Sequence, residues 1–170
     1  MKRSPLTIGI ALLMAAAGAA RAQLPTVRPF NIPKVTVTMA DLKAQFPQNK
    51  TGSFLMEVPQ ILHTATDANV WALLTGQSVV TTGQILRETG PHADGRHLRI
   101  CRTQLACCAV HAHECSVLIE FAAKLPSFKE LAWVTLTGAL AYKQEGGKTV
   151  PVIVMQEIKE TAAPKNQLLQ

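Results

Sequence analysis

The amino-acid sequence predicts a mainly β protein, a small closed barrel of five or six strands, on three observations. From Phe54 onward the chain is a succession of segments rich in Val, Ile, Thr and Phe. Polar residues or glycines break them at about the 8- to 12-residue spacing of small all-β folds. One short helical pattern interrupts them, after the first strand. Together these fit an OB-like barrel, and the same spacing also permits a two-sheet sandwich.

The chain opens on Lys2 and Arg3, an apolar run from Leu6 to Ala17, and Ala20-Arg21-Ala22. That order of basic, apolar and small-x-small residues reads as a secretory signal peptide over 1–22, cleaved before Gln23. A membrane span needs about 20 strongly apolar residues, and this run is shorter and rich in Ala and Gly. Cleavage leaves 148 of the 170 residues, which suits one hydrophobic core and not two. It also removes Lys2, Arg3 and Arg21, taking the formal charge from +6 to +3. Nucleic acid is therefore not the expected partner: Arg87, Arg96, Arg99 and Arg102 form only a loose basic set with no aromatic residue between them. The expected location is the periplasm or cell envelope, with no transmembrane span after cleavage.

Residues 23–53 read as a leader. Pro25, Pro29 and Pro33 make its first part extended; then Met39, Leu42, Lys43 and Phe46 fall at helical spacing, with Thr38 as N-cap and Pro47 as stop. The barrel domain is expected over 54–160, followed by a tail over 161–170. Its strands are expected near 54–62, 78–87, 97–107, 115–122, 132–142 and 149–158. Between the first two, Asp67 caps a short helix in which Val70, Trp71 and Leu74 share a face, and Gly76 ends it. His92 to Gly95 and Glu145-Gly146-Gly147 read as hairpin loops.

Alternation assigns the inward faces. Cys115, Val117, Ile119 and Phe121 share one parity and Val150, Val152, Val154 and Ile158 another, so both sets should line the core. Trp133, Val134 and Leu136 do not alternate cleanly, as in a strand covered on both sides or carrying a bulge. Arg102 lies inside an apolar strand and needs a partner such as Glu120.

The chemistry-bearing residues concentrate between Cys107 and Cys115. Cys107, Cys108, His111 and His113 offer thiolate and imidazole donors that suit zinc or copper, and Cys108 to His111 has the Cys-x-x-His spacing that wraps an ion at a turn. The spacing is not the paired Cys-x-x-Cys of structural zinc sites. Beside this stands a plain packing reading, in which Cys101, Cys107 and Cys115 are small buried apolar groups or form a disulfide. Cys107 and Cys108 do not bridge each other, since a trans peptide sets their Cα atoms about 3.8 Å apart and a disulfide prefers about 5.5 Å. On a regular strand they point to opposite faces, which puts Cys107 in the core and Cys108 toward His111.

No Gly-x-Ser-x-Gly elbow, His-Glu-x-x-His, phosphate loop or close carboxylate pair occurs in the chain, so a non-enzymatic role is expected. A thiol nucleophile based on Cys107 or Cys108 with His111 is the lesser alternative.

One group of residues resembles a known family. Arg102 followed five residues later by Cys107-Cys108, Gly76-Gln77-Ser78-Val79 with Gly83, Trp133-Val134-Thr135-Leu136-Thr137-Gly138, and Gly146-Gly147-Lys148-Thr149-Val150-Pro151-Val152 occur in the order shown by the bacterial YcgQ-like permease-subunit family. The resemblance runs from about Glu57 to the C-terminus. It implies an OB-like C-terminal domain of unknown function that works in the envelope beside a membrane permease. The family pattern carries Asp three residues after the Cys pair; here that position is His111, and the role of the Asp does not carry over.

Overall fold

Helical and strand periodicities divide the chain where capping and proline chemistry allow. The computed structural model describes residues 36–89, 97–105, 112–121 and 128–169; the expected signal peptide, the proline-rich start of the leader and the expected loop at His92–Gly95 lie outside them. Helix α1 (Met39–Gln45) begins at Thr38, whose hydroxyl accepts from the Asp41 amide while its own amide donates to the Asp41 carboxylate. Its apolar side delivers Leu42 and, at its end, Phe46 to the core.

The strand expected over 54–62 is instead a two-residue strand β1 (Phe54–Leu55) followed by helix α2 (Val58–Thr64). Pro59 explains the difference. It has no amide to give a ladder, whereas the first helical turn needs none from it. Gln60 caps the same turn by accepting the Glu57 amide at 2.8 Å. Val58 and Ile61, three residues apart, then fall on one buried helical side. With α3 (Ala68–Leu74), capped by Asp67, three described helices precede the barrel where the sequence suggested two.

Five long strands follow: β2 (Ser78–Arg87), β3 (His97–Leu105), β4 (Ala112–Glu120), β5 (Trp133–Glu145) and β6 (Lys148–Glu160), with a terminal β7 (Leu168–Leu169). They are hydrogen-bonded in the order β2-β5-β6-β4-β3, and pairing of β3 back to β2 closes the barrel. All these pairings are antiparallel except β4 with β6. This is the OB-like barrel the strand count suggested. The last described pair of β3 and β4 is Leu105 with Ala112; Cys107, the expected end of this strand, lies outside the described residues, and β4 begins at Ala112, three residues before the expected Cys115.

The inward faces are largely as alternation requires. Cys115, Val117, Ile119 and Phe121 are all buried in the core, joined by Ile85, Leu98, Ile100, Val134, Leu136 and Leu140. In β6 the expectation holds for Val152, which is fully buried, and for Ile158, which packs against the core, and fails for Val154, which is 38% exposed, while Ile153 and Met155 of the opposite parity also reach the core. The register between β5 and β6 shifts at Thr137/Gly138. Such a bulge changes side-chain parity along the strand. Helix α2 belongs to the same core through Val58 and Ile61, and Thr64 shares a hydrogen bond of 2.7 Å with the Tyr142 hydroxyl on β5. The β5–β6 turn has Gly146 and Gly147 at φ 56° and 77°, the conformation a two-residue hairpin demands.

Two glycines make the tight curvature possible. A Cβ on Gly83 would sit 2.6 Å from the Cys101 carbonyl oxygen, and one on Gly138 would sit 2.5 Å from that of Val154. Both obstacles are ladder backbone, which cannot move without loosening the neighbouring strand. Gly83→Ala and Gly138→Ala are each expected to cost about 1 to 3 kcal/mol, read as a lowered urea midpoint at unchanged slope.

Candidate functional site

Each strand has two edges, and the second edge of β2 is shared. It carries β1 in parallel at Val79 and Val80, and β3 in antiparallel from Gln84 to Arg87. Between these two stretches lies a break in the ladder, and Arg102 fills it. Its Nη1 donates to the Thr82 carbonyl at 3.3 Å and its Nη2 to the Asn166 carbonyl at 2.7 Å. The guanidinium also lies 3.3 Å from a Glu57 carboxylate oxygen and 5.3 Å from the centre of the Trp133 ring. A buried cation is tolerated when it is paired and hydrogen-bonded in this way.

The partner expected for Arg102 was Glu120, and the register explains why it is Glu57 instead. Arg102 is opposite Cys115, while Glu120 is opposite His97, five positions along the ladder. Glu120 has its own cations, Lys143 and His97. Burial alone would raise its carboxyl pKa, but the hydrogen bonds from those two residues, reinforced by the charges of both, outweigh it and hold the group below the ordinary value.

The cysteine and histidine residues separate into two sets. Cys101 and Cys115 are buried free thiols at adjacent ladder positions, Cys101 opposite Ser116 and Cys115 opposite Arg102. Burial first, and the Glu114 charge second, push the Cys101 thiol up to about 11 and raise that of Cys115. Both are poor thiolates and fit packing roles. Cys115 approaches Gln104 Oε1 at 3.8 Å. His113 is exposed on β4, opposite Gln104. Cys107, Cys108 and His111 lie outside the described residues. Among the described residues no group of three or more His, Cys, Asp or Glu could hold a metal ion.

Several residues around these positions gave no local signal in the sequence. Glu57, Trp133 and Asn166 reach Arg102 from positions more than thirty residues away in the chain, and only the closed barrel brings them together. A shallow cleft of about 90 Å³ on β3, β4 and β6 is lined by Leu62, Arg99, Ser116, Leu118, Val150 and Pro151. There Arg99 is paired with Glu88 and reaches the Ser116 hydroxyl. The alternation of His97, Arg99 and Cys101 was the available hint that Arg99 shares a face with them. No described helix is long and apolar enough to cross a membrane.

Two predictions follow from this geometry. In Arg102→Met the half-exposed Glu57 and the exposed Asn166 regain water, but the Thr82 carbonyl in the ladder break loses its donor, so the cost is set by it at about 1 to 3 kcal/mol. Arg102→Lys does not restore it, because one ammonium cannot span two carbonyls as a planar fork does; chemical denaturation of both variants measures this. The second concerns alkali. Above about pH 9 the unfolded chain releases the Cys101 proton that the folded chain keeps until about pH 11. Stability therefore falls across that interval, and Cys101→Ala removes that part of the fall, worth on the order of 1 kcal/mol between pH 8 and pH 10.

Comparison with known proteins adds three findings. No curated protein matches the chain. A solved structure, a chain of the S. pombe Stn1–Ten1 complex, is similar over 70% of this chain and 86% of its own, at 16% identity and a TM-score of 0.40. Residues 71–169, from within α3 through β7, match the DUF1980 C-terminal domain, and the chain therefore belongs to that family.

Proposed function

We propose that this chain is an exported, non-enzymatic binding module of the bacterial envelope that takes zinc or copper at Cys107, Cys108, His111 and His113 and works beside a membrane permease. One observation carries the metal reading. Among the described residues the β3–β4 ladder runs unbroken to Leu105 opposite Ala112, and in the sequence residues 106–111 join these two paired positions. Three of the four donors belong to that stretch, and the fourth, His113, is exposed one position beyond Ala112 on β4. Thiolate and imidazole together are borderline-soft donors, the class that selects zinc and copper over magnesium and calcium. The raised pKa values of Cys101 and Cys115 support leaving those two thiols out of the ligand set. The permease partner rests on the resemblance of Arg102, the Cys pair and the glycine-bearing strands to the YcgQ-like family.

A second reading, a protein-interaction domain with no metal, draws on the cleft beside Arg99 and Ser116, on the outer side of the strands that OB-like barrels use for ligands.

The test is metal analysis of protein purified without a His tag, then zinc and copper titration under reducing conditions. One ion per chain at micromolar affinity or better is expected, lost in Cys108→Ser and His113→Ala and kept in Cys101→Ala. No bound metal and no micromolar affinity would leave the interaction reading.

A further inference from the structure

One edge of β3 is filled by β4 along its whole length, from His97 opposite Glu120 to Leu105 opposite Ala112. The other edge holds β2 only from Leu98 to Cys101. Past Arg102 that edge is taken by β7, running parallel, with Thr103 opposite Leu168 and Gln104 opposite Leu169.

Strand β7 is held weakly by its own ladder. It has two residues, it is reached through residues 161–167, which form no helix or strand, and Leu168 is 50% exposed. Its firmest described anchor is the hydrogen bond from Arg102 Nη2 to the Asn166 carbonyl. That guanidinium is buried, reaches β2 as well through the Thr82 carbonyl, and still has an Nε without a hydrogen-bond partner among the described residues. It acts as a fixed donor aimed at main-chain carbonyls where the barrel edge opens. A short strand added to such an edge is the geometry by which sheets capture extended peptides, main-chain bonds giving affinity and alternate side chains giving specificity.

We propose that the β3 edge from Arg102 to Leu105 is a binding site for an extended polypeptide strand, with this chain's own residues 166–169 as its resident occupant. The ligand class is a peptide that presents one carbonyl to Arg102, as Asn166 does, followed two and three residues later by apolar side chains, as Leu168 and Leu169. This inference is independent of the metal reading, since it uses none of the proposed donors.

The experiment is titration of a fluorescent peptide of residues 162–169 into the full chain and into its Leu168→Pro variant. A tethered strand competes at an effective concentration in the millimolar range, and proline breaks its pairing. The variant is therefore expected to bind the peptide at least tenfold more tightly than the full chain, and a peptide carrying the same proline is expected to bind neither. A folded variant that takes up no peptide overturns the proposal. Should the variant not fold, hydrogen exchange of the unaltered chain decides. Exchange at Leu168 and Leu169 orders of magnitude faster than at Ile85 and Ile100 supports a replaceable strand, and exchange in step with them overturns it.

Discussion

The structure depends on how β2 divides its second edge. A closed barrel needs β2 to meet β3, yet the strongly coiled strands pair only from Gln84 to Arg87, and β1 holds the other end of that edge. The ladder break between them would leave the part-buried Thr82 carbonyl without a donor, at a cost on the order of 1 to 3 kcal/mol. Arg102 answers this with a planar fork that reaches the Thr82 and Asn166 carbonyls while Glu57 balances its charge. Gly83 is the matching requirement on β2, because any side chain there would strike the Cys101 carbonyl beside Arg102. The same seam joins sequence-distant parts: the cap of α2, the middle of β2, β3 and the C-terminal segment.

What was legible in the sequence follows from the range of the interaction that shapes each element. Strands β2 to β6 were readable because period-two alternation is local, and so were the Thr38 and Asp67 caps, which act within three residues. Helix α2 was missed because Phe54, Leu55, Met56, Val58, Ile61 and Leu62 form an apolar run that suits either structure, and the deciding residue was Pro59. Arg102 was recognisable as a buried cation in want of a partner. Which carboxylate serves it depends on register and on the path of α2, and neither is written in the residues around position 102. In β6 the parity of Val150, Val152 and Val154 was visible, but the register shift opposite Thr137 and Gly138 belongs to the pairing of two strands and not to either sequence alone.

The candidate site was legible to the same limit. Burial of Cys101 and Cys115 follows from their places in apolar strands, and their raised pKa values follow from burial first and from the charge of Glu114 second. His113 is exposed beside Ala112, the first described residue of β4. Of the four cysteines, Cys101 and Cys115 are thus ladder thiols, while Cys107 and Cys108 follow Leu105 in the sequence.

Strand β3 then brings the separate features into one frame. Arg102 lies three residues before Leu105, a rise of about 10 Å, and in the sequence the Cys pair begins two residues after Leu105. Through Arg102 this stretch is tied to α2 and to Asn166; through Leu105 and Ala112 it is tied to β4. A ligand bound beyond Leu105 would therefore act on a strand already fixed at its seam, so little of its binding free energy would be needed to position β3. Conversely, loosening the seam at Arg102 would free the β3 edge and the base of the hairpin together. The five-residue spacing from Arg102 to Cys107 thus keeps the Cys pair close in sequence to the point where the barrel is sealed.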